Sequence, residues 1–295
     1  MKQSVNTINI EGIVSEINLR EISKDGKNFV AGDVVVQVAD AEGRINMIPV
    51  SFISADIKKD GTPNQNYARL MQLKDYNSIA SAGIDNATKV QIRNANLSEN
   101  LFLPQNGTEV ISTMRINSNF FTKINETNYN PKATFSVSAY ILSIEDEIKN
   151  VAGVEEVTGR LVIQAAVVGY GDKVEVFKFI VEKQSNIDYV RANWKIGDTV
   201  NMGGEVRFIE ENVEVEQETG FGEAEVRKFT KRIKELIITR GSAGPLSEEE
   251  AYKEEDIKAG LLNRRQRMEE TKRKAQTQAS QPQTNNSISK GGFDF

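Results

Sequence analysis

The 295-residue chain carries 37 Lys+Arg against 42 Asp+Glu, a net charge of −5, with neither His nor Cys. At ~100–200 residues per domain this length predicts two domains. The two missing residue types exclude Ser-His-Asp and Cys-His nucleophiles, thiol redox chemistry, disulfides and ordinary zinc sites, so binding without cofactor or metal is the expected occupation.

The N-terminal stretch MKQSVNTINIEG lacks the apolar core of a secretory signal, and no window approaches the ~18 apolar residues of a membrane span. The expectation is a cytoplasmic protein. Ile8 to Leu19 alternates apolar and polar residues, turns at Lys24 to Lys27, and resumes as a strand from Asn28 to Val38. Arg44 to Ile53 follows the Asp40 to Gly43 turn and completes a three-strand meander. Tyr67, Leu70, Leu73, Tyr76 and Ile79 then share one helical face that stops at Gly83. Lys89 to Arg93, Glu109 to Asn117 and Thr134 to Ile144 read as further strands.

A charged connector is expected over 147–156. Val157 to Val168 and Lys173 to Glu182 form the next strand pair, around the turn at Gly169 to Asp172. A polar stretch leads to Trp194 to Val200, then to strands at Gly204 to Ile209 and Arg232 to Thr239. Both halves open with a Gly-containing strand, a tight turn and a second long strand, the pattern of a diverged repeat. Ser247 to Glu250 reads as a capping box opening a charged helix through about Lys274, and Gln276 to Lys290 is polar and of low complexity. The expected fold is mainly β, with two five-stranded OB-fold-like barrels in tandem and one helix in the first. The boundaries are 1–146 for the first barrel, 157–241 for the second, 242–275 for the charged helix and 276–295 for the tail.

Three strands, a helix and two more strands are the OB layout, a frequent platform for single-stranded nucleic acid. Lys195-Ile196-Gly197-Asp198-Thr199-Val200 followed by Gly204-Glu205-Val206 resembles the K-x-G-D-x-V…G-x-V stretch of bacterial single-stranded-DNA-binding proteins. The polar linker and the aromatic terminus resemble that family too, although its tip is acidic and ends Pro-Phe, whereas this one is Gly291-Gly292-Phe293-Asp294-Phe295. Two barrels in one chain resemble phage-encoded members. The resemblance implies coating of single-stranded DNA during replication, recombination or repair, and a C-terminal peptide that docks partner enzymes through Phe293, Asp294 and Phe295.

Single-strand binding needs aromatic faces for bases and cations for phosphates. Residues 157–240 hold 13 basic and 14 acidic residues, but seven of the acids lie in 208–225, which has no basic residue; without that stretch the balance is +6. Candidate binding residues in the second half are Tyr189, Arg191, Trp194 and Lys195, and the run Arg227, Lys228, Phe229, Lys231 and Arg232. Phe177 and Phe179 share one strand face and are expected in the core. In the first half, Arg115, Phe120, Phe121 and Lys123 are candidates, with Arg44 and Arg93 along the same groove; of the adjacent Phe120 and Phe121, at most one is core. No Gly-rich phosphate loop is present, and acid pairs such as Asp172/Glu175 read as solvated surface. The competing functions are a β-rich virion component and an OB-fold accessory subunit that binds protein; a homo-oligomer is left open.

Overall fold

The computed structural model describes residues 1–24, 26–105, 107–151, 154–217 and 225–279, without the side chains of 151, 211–217, 225–229, 231, 278 and 279. The first half supplies strands β1 (Asn6–Lys24), β2 (Lys27–Ala39), β3 (Ile45–Ala55), β4 (Lys89–Phe102), β5 (Ile111–Asn117) and the short β6 (Thr122–Lys123). The second supplies β7 (Lys132–Val151), β8 (Val154–Val168), β9 (Val174–Val181), β10 (Thr199–Gln217) and β11 (Glu225–Gly241). Helices α1 (Gln65–Met71) and α2 (Ile79–Ala82) lie between β3 and β4, α3 (Gln184–Asn193) lies between β9 and β10, and α4 (Glu254–Ala279) follows β11.

All eleven strands belong to one hydrogen-bonded sheet that closes on itself twice. In the first ring β1 pairs with β2, β2 with β3, β3 in parallel with β5, β5 with β4, and β4 returns to β1. The second ring repeats this order with β7, β8, β9, β11 and β10, including one parallel step, β9 to β11. The rings are fused because Asn6 to Glu11 of β1 also pair with Lys132 to Val137 of β7. Just beyond that junction, Gly12 lets β1 lie close against β2: a Cβ there would sit 2.5 Å from the Gln37 carbonyl and 2.6 Å from Val36 Cγ1.

Alternation along the strands puts one face of each ring inside. Ile8, Ile10, Val34, Val36, Ile48, Val50, Val90 and Ile92 fill the first ring, and Ile163, Phe177, Phe179, Val200 and Leu236 fill the second, within one continuous core. Phe179 and Phe135 meet at 5.7 Å between ring centres, so the expected core placement of Phe177 and Phe179 is what the structure has.

Several local expectations change. The single helix expected over Tyr67 to Ile79 is α1, a 3₁₀ turn (Gln72–Asp75) and α2; Leu70 and Leu73 still point inward. The supposed connector at 147–156 is the end of the β7–β8 hairpin, paired out to Val151 and Val154. The polar stretch before Trp194 is helix α3, whose Ile187 and Val190 are buried. The charged helix begins at Glu254 rather than Ser247, whose carbonyl instead closes a turn with the N–H groups of Glu250 and Ala251.

Candidate nucleic-acid interface

The polar residues after β5 set the geometry of the Phe120–Phe121 pair. The Asn119 side chain makes hydrogen bonds with both the N–H (3.2 Å) and the carbonyl (3.0 Å) of Ile53, and Ser118 Oγ accepts from the Phe120 N–H at 3.1 Å. This clamp leaves the Phe120 ring 50% exposed. Phe121 turns back onto the core edge-to-face with Phe52, 5.9 Å between centroids.

Helix α1 and the 3₁₀ turn form the opposite wall. The Arg69 guanidinium lies 6.0 Å from the Phe120 centroid, and Lys123 Nζ lies 4.4 Å from that of Tyr76 while donating to the Asp75 carbonyl at 3.1 Å. Tyr76 donates its hydroxyl to the Phe121 carbonyl at 3.1 Å, and burial raises its pKa, so the phenol stays protonated. Together they enclose a cleft of about 570 Å³, which also has Gln72 and the carboxylate-bearing Asp75 on its rim. Neither Arg69 nor Lys123 has an acidic partner among the described residues. Beside the cleft, Lys89 is ion-paired with Glu126 and lies 5.5 Å from the Tyr129 centroid. That pair depresses the Glu126 pKa, first through the hydrogen bond and then through the charge.

The cleft thus brings together Phe120, Phe121 and Lys123 from the sequence reading, and adds Arg69 and Tyr76. Arg69 and Tyr76 belong to a segment whose spacing reads as a core-facing helix; the 3₁₀ turn at Gln72–Asp75 ends it, and Tyr76 follows in extended conformation, half-buried against the core while lining the cleft. Arg115 on β5 is half-buried and does not line the cleft. Arg44 closes its own turn, bonded to Asp40 at 2.7 Å and Glu42 at 2.8 Å. Arg93 is exposed on β4 in a second groove.

The second ring differs. Trp194 is 5% exposed and donates its indole N–H to the Ser242 carbonyl at 3.1 Å, so it is a core residue and offers no stacking face. Tyr189 is half-exposed but donates its hydroxyl to the Ala243 carbonyl at 2.8 Å; Arg191 pairs with Asp146 at 2.5 Å; Lys195 stands exposed at the Gly197 turn, its N–H bonded to Asp198. Arg160 and Arg207 are held by Glu147, Glu182 and Glu235. In the basic run, Arg232 is exposed and pairs with Glu210 at 2.7 Å. The side chains of Arg227, Lys228, Phe229 and Lys231, like Phe293, Asp294 and Phe295 entire, lie outside the described residues.

The backbone register overturns the +6 balance. Glu210, Glu211 and Glu214 stand opposite Arg232, Lys231 and Lys228 across the β10–β11 ladder, so the acidic and basic runs are two sides of one hairpin. Outside 208–232, residues 157–240 hold nine basic and seven acidic residues. Four of the cations behind the +6, Arg227, Lys228, Lys231 and Arg232, therefore belong to the same β10–β11 hairpin as the acids, so a basic second barrel with a separate acidic arm is not what the structure has.

No helix among the described residues is long and apolar enough to cross a membrane, and no cluster of three or more metal-ligating side chains occurs among them. The sequence matches the YorF family over residues 4–274, so the chain belongs to that family. No curated protein sequence matches it. Among solved structures it is similar to a deletion mutant of the single-stranded DNA binding protein from Thermus aquaticus, at 9% identity and TM-score 0.47 over 84% of this chain and 98% of that one. The wild-type Thermus aquaticus protein gives 10% identity and TM-score 0.45, over 85% and 98% of the two chains. A Replication Protein A heterotrimer bound to ssDNA gives 10% and 0.20, over 81% of this chain and 50% of that one.

Proposed function

We propose that the chain binds single-stranded DNA through the Phe120 cleft of the first ring, coats it during replication or recombination, and docks partner enzymes through Phe293, Asp294 and Phe295. In this reading the two rings are OB-fold barrels in tandem, 1–146 and 157–241. Support comes from the 1-2-3-5-4-1 strand order, the parallel third-to-fifth pairing and the helix after the third strand, each present twice. The observation that carries the reading is that Arg69, Lys123 and Lys89 each lie over an aromatic ring within or beside one cleft. An aromatic face takes a base and the adjoining cation takes its phosphate, a combination that needs no particular sequence.

Fluorescence anisotropy of a labelled oligodeoxythymidylate tests it. Binding should weaken steeply with salt, and Phe120→Ala should weaken it by about 1–3 kcal/mol; a variant that binds like the parent removes the cleft from the reading. Protein binding, the second reading, is favoured by the outer face of β2 and β3, where Phe29, Val35, Ile45, Met47, Pro49 and Ile53 are half-buried or exposed and the basic residue of those strands, Lys27, stands at the start of β2. Ile53→Asp abolishing a protein complex while sparing oligonucleotide binding would separate the two.

A further inference from the structure

A second groove, of about 380 Å³, lies where β1 is held between β4 and β7; Asn9, Gln91, Arg93, Lys132 and Thr134 line it. Its polar groups follow from alternation: Val90 and Ile92 point into the core, so Lys89, Gln91 and Arg93 form one outward stripe on β4. Arg93 is exposed and has neither a hydrogen bond nor an ion pair among the described residues. Lys132 is 3.7 Å from the buried Glu11 carboxylate, whose other partners are Gln91 and the Asn130 N–H. Asn9 accepts from the N–H of Asn94, which takes a left-handed φ of 55° and bulges the strand beside the groove. The two grooves nearly touch: Thr122, on the rim of the Phe120 cleft, is the register partner of Gln91, on the rim of this one.

We propose that the Arg93 groove is a phosphodiester site that continues the Phe120 cleft, so that one DNA strand passes from the cleft over the β4–β6 pairing to the junction of the two rings. The proposal rests on the reading of the cleft as a single-strand site. Bases stack at Phe120 and Tyr76, Lys89 beside Tyr129 covers the crossing, and phosphates are taken by Arg93, about 13 Å beyond Lys89 along β4, and by Lys132 at the start of β7. Asn9 and Thr134 add neutral donors to the same oxygens. The strand leaves the protein at this point, because Glu205, the register partner of Thr134 on β10, is exposed and repels it.

The test is the dependence of affinity on length, with labelled oligodeoxythymidylates of increasing length and the full chain. Wild-type affinity should climb in two stages as an oligomer first fills the cleft and then reaches Arg93. Arg93→Ala should abolish the second stage, reduce affinity for long strands about five- to tenfold and lower the salt slope by roughly 0.7. The shortest oligomer that binds should be unaffected by Arg93→Ala, whereas Phe120→Ala should weaken every length. If Arg93→Ala and Asn9→Ala leave long-strand affinity and slope unchanged while Phe120→Ala weakens binding, the continuation is wrong and the cleft stands. If Phe120→Ala binds like the wild type, the cleft is wrong and the path through it falls as well. Because Arg93 has no partner to lose, its removal should leave the thermal transition in place, which circular dichroism checks.

Discussion

Trp194 and Phe120 sit at opposite ends of what an aromatic residue can do here. The Trp194 indole is enclosed by the end of β11, where a Cβ on Gly241 would stand 2.5 Å from its Cζ2. Trp194→Ala should cost about 3–5 kcal/mol in urea unfolding through the cavity it leaves. Gly241→Ala should cost about 1–3 kcal/mol by overpacking the same spot. As the chain's single Trp, Trp194 should report unfolding but stay silent when an oligonucleotide is titrated into the native protein. Phe120→Ala should behave conversely, changing stability by no more than about 0.5 kcal/mol. The Phe120–Phe121 division was legible because adjacent residues on an extended chain face opposite ways. The fate of Trp194 was not: its sequence neighbours are polar, and the residues that bury it lie more than forty positions downstream.

At the scale of elements, two arginines inside the second ring are held by that ring's own carboxylates. Arg160 on β8 reaches Glu147 on β7, Glu182 after β9 and Glu235 on β11, and Arg207 on β10 shares Glu182. The Arg160 hydrogen bond is the largest influence on Glu147 and holds its pKa at about 2, with Thr158 and Lys149 adding to it against the cost of burial. A carboxylate with a depressed folded pKa contributes stability that is complete above its unfolded value, near 4.5, and is lost as pH falls toward 2. Thermal stability should therefore decline across that window, and Glu147→Gln should flatten the decline; an equal decline in the variant would remove Glu147 as its source. Strand order was readable here from alternation and turns, and the Gly197 and Gly204 positions of the K-x-G-D-x-V…G-x-V stretch proved to be a turn with φ 95° and a bulge where a Cβ would meet the Ile237 carbonyl at 1.8 Å. Charge pairing was not readable, because it depends on registers between residues tens of positions apart. Helix α3 escaped notice because only Ile187 and Val190 mark its buried face and no side chain caps its start.

Across the whole molecule, α4 ties the rings together. Arg264 makes a bidentate contact with the buried Glu99 of β4, and Arg267 donates to the Val174 carbonyl of β9 at 2.6 Å, while Gly260 packs where a Cβ would strike Val174. Arg264→Met takes the guanidinium away from the buried Glu99 carboxylate, which also accepts from the Ser112 hydroxyl, and should cost about 3–5 kcal/mol. Glu99→Gln together with Arg264→Met should recover much of that loss, as a double-mutant cycle in urea would reveal. The fused sheet also bears on the order in which the chain is made. The β1 segment Asn6 to Glu11 is synthesised well before its partner on β7, Lys132 to Val137, which follows roughly 6–25 s later at about 5–20 residues per second. Throughout that interval one edge of β1 stands open, an invitation to neighbouring nascent chains on the same message. The asparagine, threonine and glutamate at positions 6, 7, 9 and 11 break the apolar character of that waiting edge.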